Sequence, residues 1–396
     1  MNQNIEKLYQ IANKSHRLII GLMSGTSLDG LDVALCKFSG SGAQTSVELV
    51  QFETVVYSDE IKEEIRKLFA KKTIEFQDLC LLNPWIGILH GQMVLDCLHK
   101  WNVSPEDIDL IASHGQTVFH APKILHTIKK FPNGTLQIGD GDHVAVKTGI
   151  ITVSDFRQKH CAAGGEGAPL AVYGDYLIFS KKDEDRILLN IGGIANFTFL
   201  AGSLDANQVF ATDTGPGNTI IDAYVQQHFN LPFDKNAEIA SSGMVHFNLL
   251  EELKNNLFFK KSSPKTTGPE LFNLNYLNNA QLQSKSANLP HADVLATLCR
   301  FSAETIASSI LQLQSTAKLI YCSGGGIHNP KIMSFLQELL PDFEFKKTND
   351  LKISADAKEA VLFAILANEA VAGGTTNFGT KKGVPSISMG KISFAN

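Results

Sequence analysis

The six cysteines (Cys36, Cys80, Cys97, Cys161, Cys299, Cys322) include no C-x-x-C pair, so neither a disulfide framework nor a structural zinc site is expected, and a reducing cytoplasm fits best. No long run of Lys or Arg is present. With 35 basic and 40 acidic side chains and a formal charge of -5, the chain lacks the electrostatic footprint of a nucleic-acid binder. No segment reaches the ~20 apolar residues of a membrane span, and the opening MNQNIEKLYQIANKSHRLII interleaves polar with apolar residues, so no signal peptide is expected. There is also no G-x-x-x-x-G-K-[ST], no G-x-G-x-x-G after a first strand, and no H-R-D or D-F-G. These absences set aside the P-loop, dinucleotide-binding and protein-kinase routes to a nucleotide.

What is present is an apolar chain, 44% hydrophobic over 396 residues, long enough for two domains. Apolar strand-like runs such as Ile108 to Ala112, Ile187 to Ile191 and Lys318 to Tyr321 alternate with helical patterns, which means α/β layers. The charged break from Ser180 to Arg186 marks the expected boundary, giving domains at 1–180 and 181–396. Arg17 to Phe38 and Arg186 to Leu200 both read strand, Gly-rich turn, strand, so each half is expected to open on a β-hairpin.

Three glycine-rich turns suggest a nucleotide. In the first, Ser24, Gly25, Thr26, Ser27, Leu28, Asp29, Gly30 and Leu31 follow a strand, and converging backbone N–H groups with small hydroxyls can meet phosphate oxygens. Asn190, Gly192, Gly193 and Asn196 form the second, a possible clamp from the other domain. Gly324, Gly325, Gly326 and Asn329 form the third, where bare backbone would lie against adenosine. Each alone is as easily a tight turn. Together, in this order, they match the actin, sugar-kinase and heat-shock chaperone ATPases: two ribonuclease-H-like α/β domains with the active site expected in the cleft between them. ATP with Mg²⁺ is the expected cofactor.

Among the polar residues, Asp213 ends a strand-like run just before Gly215, Gly217, Asn218 and a helical pattern from Thr219 to Phe229. A carboxylate there points into the crevice where α/β sheets bind ligands, although a turn-stabilising Asp reads the same way. Glu359 shares a helix face with Leu362, Phe363 and Leu366, so it needs a partner or a role in the site. Arg157 could hold a substrate oxygen or tie two loops. Asp29, and less so Asp32, could hold a water of hydrated Mg²⁺. His114 and His120 lack zinc-site company and read as polar substrate contacts or structural groups. Asp140 and Asp142 resemble a calcium loop only superficially and read as turn residues.

Gly21 to Asp32 resembles the G-L-M-S-G-T-S-x-D-G-x-D opening of the anhydro-N-acetylmuramic acid kinases. The likeness continues in His114-Gly115-Gln116-Thr117, Gln137-Ile138-Gly139-Asp140, Asp155-Phe156-Arg157, Gly164-Gly165 with Gly167-Ala168-Pro169, Asp213-Thr214-Gly215-Pro216-Gly217-Asn218, and Lys358-Glu359-Ala360. The resemblance implies a kinase in which water opens a 1,6-anhydro bridge while the freed O6 takes the γ-phosphate of ATP. It makes Asp213 the general base and His114, Gln116, Thr117, Asp155, Arg157, Gly165, Glu166 and Glu359 the expected sugar contacts. Three positions depart from the family pattern: His160 for Asp, Glu166 for Gln, and Pro269 where an Arg is common. A carboxylate at Glu166 would repel a lactyl carboxylate, which keeps a neutral anhydrosugar such as levoglucosan as an alternative substrate. A non-catalytic ATP-binding regulator of the same fold is the rival reading, and a homodimer is left open.

Overall fold

The computed structural model describes residues 1–313, 315–351, 353–354, 356–380 and 383–396. The chain forms two compact units, one of Met1–Phe179 with Lys352–Asn396 and the other of Ser180–Leu351. The first break falls at the charged segment that marks the boundary in the sequence. The C-terminal 45 residues differ from the expected division at 181–396: they return to the first unit.

The strands of the first unit are β1 (Arg17–Ser24), β2 (Gly30–Ser39), β3 (Ser46–Val56), β4 (Leu110–Ala121), β5 (Gly134–Ile138) and β6 (Thr152–Ser154); those of the second are β7 (Arg186–Ile191), β8 (Ile194–Leu200), β9 (Phe210–Pro216), β10 (Leu319–Ser323) and β11 (Glu344–Lys347). A last strand, β12 (Lys391–Ser393), closes the edge of the first sheet beside β6. The first sheet runs β12-β6-β4-β1-β2-β3 with β5 added beside β4, and the second runs β11-β10-β7-β8-β9. In each, three consecutive strands pair antiparallel, and two later strands join parallel to the first of them. Setting β5 and β12 aside, the two sheets share one order and one sense. That repeated ribonuclease-H-like topology makes the protein an α/β chain of the actin-like ATPase class, and both expected hairpins, β1–β2 and β7–β8, are present.

The central strands are buried along most of their length, which explains why they read as continuous apolar runs rather than alternating ones. In the first unit, Ile20, Leu22, Val33 and Leu35 pack with Ile86, Val94 and Leu98 of the helix Phe76–Trp101. In the second, Ile187, Leu189 and Phe197 pack with Val294, Leu298 and Phe301 of the helix His291–Leu311. That helix is long and apolar enough to cross a membrane by length and composition, contrary to the expectation from the sequence, but 78% of its apolar window is buried in the protein.

The helix Lys358–Ala372 explains the C-terminal return. Its residues from Ala360 to Glu369 are all buried, and a Cβ at Gly21 of β1 would lie 1.9 Å from the Ala360 carbonyl oxygen, so only glycine lets the helix approach the strand so closely. Arg17 Nε donates to Asn368 Oδ1 at 2.8 Å, and the Gly42 N–H donates to Glu369 Oε2 at 2.9 Å, pinning the far end of the helix to the same unit.

Candidate active site

In the second unit the glycine-rich turns come together. The β9 exit folds back on the β7–β8 hairpin tip: Gly217 N–H donates to Gly193 O at 2.8 Å, Asn218 N–H to Gly192 O at 2.9 Å, and Thr219 N–H to Gly193 O at 3.1 Å. A Cβ at Gly217 would lie 2.3 Å from Gly192 O. The third turn meets the same place, since Gly324 has φ +85° and a Cβ there would stand 2.6 Å from Ile191 O. Bare backbone is therefore required where the three turns touch.

Beside this junction lies a cavity of about 470 Å³. Asn218, Gly325 and Asn329, three of the expected nucleotide contacts, line it together with Ile221, Asp222, Phe233, Lys235 and His328, which the sequence did not single out. Ile221 and Phe233 give a flat base an apolar wall, Asp222 offers an acceptor suited to sugar hydroxyls, and Lys235 a cation. Burial pushes the Asp222 carboxyl up to about 6. Asn329 is committed elsewhere: its Oδ1 accepts the N–H groups of Lys331 and Ile332, both at 3.1 Å, capping the helix Pro330–Leu339. The missed residues sit on loops and a helix with no motif of their own, and only the fold gathers them.

Asp213 stands on β9 opposite Asn196 of β8, after a register shift that leaves Thr214 without a partner. Asn196 faces Asn190 of β7, and Asn190 faces Ser323 of β10, so a polar row crosses four strands at this level. The Asp213 N–H donates to Lys265 O at 2.9 Å, and its Oδ2 accepts the Thr267 N–H at 2.8 Å. Its Oδ1 takes no hydrogen bond from the described residues. Burial raises the Asp213 carboxyl above its ordinary value, the Thr267 bond partly opposes this, and Glu270 adds to the rise. A carboxylate aligned by one oxygen, with the other oxygen free and its basicity raised, suits a general base.

In the first unit the β1–β2 turn is held from beneath. Ser24, 1% exposed, donates to Gln116 Oε1 at 2.5 Å and lies 2.8 Å from Tyr57 Oη, which in turn meets His90 Nε2 at 2.7 Å. Gln116 Nε2 donates to Gly25 O at 2.8 Å and Thr117 O at 3.0 Å. Ser24 and Gln116 thus shape the turn from inside rather than facing a ligand. Leu28 and Leu31 are buried in the core, and Leu28 holds φ +57°. Gly25, Thr26 and Ser27 do line a cavity, of about 420 Å³, shared with Thr117, His120, Arg157 and Glu359.

Asp29 accepts Ser27 Oγ at 2.7 Å and the Gly30 N–H at 3.0 Å, and the Ser27 bond leads the effects that hold its carboxyl below the ordinary value. Asp32 accepts Thr54 Oγ1 at 2.6 Å and is raised by burial. Among the described residues no cluster of three or more His, Cys, Asp or Glu could hold a metal ion. Asp29 is a carboxylate of the kind that accepts a water of a hydrated Mg²⁺.

Arg157 is fixed on two sides: Nε donates to His114 Nε2 at 2.7 Å and Nη1 to Gly167 O at 2.8 Å. His114 Nδ1 lies 2.8 Å from Gly115 O, so Nδ1 carries the proton and Nε2 is the acceptor. Burial, with Arg157 adding, pushes His114 down to about 3, which keeps it neutral. Glu359 faces the same cavity with an exposed carboxylate; the protein crowding it raises its carboxyl, and Arg157 opposes that rise. Of the two readings left open for Glu359, the structure gives a cavity-lining carboxylate in the first turn of its helix and no salt bridge among the described residues.

The family departures have structural explanations. His160 is buried and its Nδ1 accepts the Gly167 N–H at 2.9 Å; burial first, then Arg157, pushes it down to about 4. Gly165 backs onto the His160 ring, which leaves no room for a Cβ. Glu166 is exposed and is not among the residues lining the Arg157 cavity. Asp155 is also outside that cavity, paired with Lys391 at 2.9 Å. Pro269 is exposed beside Glu270 in the loop that wraps Asp213.

The family model for anhydro-N-acetylmuramic acid kinase matches residues 17–393. An anhydro-N-acetylmuramic acid kinase from Pseudoalteromonas atlantica is 58% identical over 399 residues, covering 100% of both chains. Another so named, from Caldanaerobacter subterraneus subsp. tengcongensis, is 39% identical over 396 residues, covering 98% of this chain and 100% of its own. A match of that length and identity, laid over two ribonuclease-H-like units with the family's motifs at their glycine-rich turns, means that the chain belongs to the anhydro-N-acetylmuramic acid kinase family.

Proposed function

We propose that the protein opens 1,6-anhydro-N-acetylmuramic acid with water and phosphorylates the freed O6 from MgATP, giving N-acetylmuramic acid 6-phosphate and ADP. The work divides between the units. The second holds the nucleotide, with its phosphates at the junction of the Gly192–Gly193 hairpin and the Gly215–Asn218 turn and its nucleoside beside Phe233 and Asp222. The first holds the sugar against Arg157 and Glu359, in the cavity that the Gly25–Ser27 turn also lines.

Asp213 takes a proton from the water that attacks the anomeric carbon. The C1–O6 bond breaks, O6 attacks the γ-phosphorus, and the bond to the β-phosphate oxygen breaks to release ADP. Mg²⁺, when bound with the nucleotide, neutralises charge on the phosphates. Arg157 keeps N–H donors beyond the two spent on His114 and Gly167. These suit the lactyl carboxylate of a muramyl sugar; Glu166 does not line the cavity but its charge reaches His120, which does, and it is the family match that favours the muramyl over a neutral substrate. Six free thiols suit a cytoplasmic setting for this reaction.

The observation that carries this reading is Asp213, aligned through one oxygen and made more basic by burial. The test is turnover of anhydro-N-acetylmuramic acid with MgATP in ¹⁸O-water. The expected result is ADP release matched by one sugar phosphate with ¹⁸O at the C1 hydroxyl. Label in the phosphate, or preference for levoglucosan, would overturn it.

A further inference from the structure

The first unit contains another cavity, of about 480 Å³, whose wall includes His114, the partner of Arg157, but neither Arg157 nor Glu359. Phe76 and Leu79 of the helix Phe76–Trp101, Leu136 of β5, Ser113 of β4 and the Asp155–Lys391 pair line it. It contains none of the Gly25–Ser27 turn, and Gln137 alone is common to its wall and that of the Arg157 cavity. A sugar bound here would lack the contact with the phosphate-facing turn that transfer requires.

The wall describes its ligand. Ser113 is 1% exposed and its Oγ has no hydrogen-bond partner, an arrangement native proteins rarely leave without a polar group to meet it. Phe76, 79% exposed, with Leu79 and Leu136 supplies an apolar face. The charged groups are two carboxylates, Asp140 and Asp155, against one ammonium, Lys391. That balance disfavours a phosphate or carboxylate ligand and leaves acceptors for hydroxyl groups. An apolar wall facing hydroxyl-binding groups without excess positive charge matches a pyranose ring, whose C–H face is apolar and whose edge is hydroxylated. We propose that this cavity is a separate binding site for a neutral pyranose.

Cys80 makes the proposal measurable, because it lines the cavity and is the exposed one of the six cysteines, the other five being buried. The rate at which a thiol reagent alkylates Cys80 in the full chain can be followed with glucose and N-acetylglucosamine as probes and glucose 6-phosphate as the charged comparison. The expected result is saturable protection by the neutral sugars and none by the phosphate. Leu136→Trp, which fills the cavity from the edge strand, should abolish protection while leaving turnover of the anhydrosugar unchanged. Ser113→Val should weaken protection about tenfold through the loss of one hydrogen bond. Unprotected Cys80 with both neutral sugars, or equal protection by glucose 6-phosphate, would overturn the proposal. So would protection by the anhydrosugar that tracks its KM, which would make the cavity part of the reacting site. None of these outcomes depends on whether turnover gives the product proposed above.

Discussion

The two hairpins look alike in sequence and are supported in different ways. The β7–β8 tip is locked by backbone: three N–H groups of the β9 exit bond to Gly192 and Gly193, and Gly217 and Gly324 have no room for a side chain. The β1–β2 turn is held by side chains, through Ser24, Gln116, Tyr57 and His90. A Cβ at its Gly25 would meet nothing closer than Met23 Cε at 3.6 Å. Glycine in the β9 and β10 exits that pack on the second hairpin is therefore a requirement of the fold, whereas at Gly25 nothing in the fold demands it. The same residue type at a glycine-rich turn is required by packing in one unit and not in the other, and only the surroundings tell them apart.

That contrast can be broken by substitution. Gly217→Ala or Gly324→Ala should destabilise the second unit by about 2–4 kcal/mol, through overlap and, at Gly324, left-handed strain. Gly25→Ala should change stability by no more than ~0.5 kcal/mol while weakening ATP binding. Thermal unfolding with nucleotide calorimetry distinguishes the two, and equal destabilisation at Gly25 and Gly217 would erase the difference. Gln116→Leu should cost about 2–3 kcal/mol, because it leaves Ser24 Oγ and two carbonyls buried with fewer partners; a neutral result in urea unfolding would mean that side chains do not hold the first turn.

Asp222 gives a smaller effect than Gly217, Gly324 or Gln116. Its carboxyl stands near 6 in the fold, against ~3.9 in an unfolded chain. Between those values the folded state binds the proton more readily, so this group's contribution to stability falls as pH rises through the window. Asp222→Asn should stabilise the protein at neutral pH by about 1 kcal/mol after allowance for solvent screening, with the gain shrinking below pH ~6 and gone by ~4. A gain that persists at low pH would place the cause elsewhere. The same variant should weaken ATP more than 2′-deoxy-ATP if Asp222 meets the ribose.

The hairpins and the helix Thr219–Phe229 were legible because period and glycine punctuation are local signals. The return of Lys358–Ala372 to the first sheet was not, because a helix buried on nearly every side carries no stripe that names its neighbour. Ser24, Gln116 and Asn329 have the side chains of ligand contacts but are occupied within the fold. Phe233 and Asp222 have ordinary sequence surroundings and become a wall only when helix and loops meet. His160, a departure from the family pattern, is buried and hydrogen-bonded within the fold, which the sequence did not show.

The account rests on Asp213 as the base, and the most direct test is Asp213→Asn, comparing turnover of anhydro-N-acetylmuramic acid with ATP affinity. Asparagine keeps the size and an acceptor for the Thr267 N–H but cannot take a proton at neutral pH. Turnover should fall ~10² to 10⁴-fold with ATP affinity unchanged, because the proposal assigns the nucleotide to the backbone turns and not to this carboxylate. In the wild type, kcat/KM should fall on the acid side through a pKa above the ordinary Asp value, the direction burial gives Asp213. Near-normal turnover by Asp213→Asn, or loss of ATP binding along with activity, would contradict the claim.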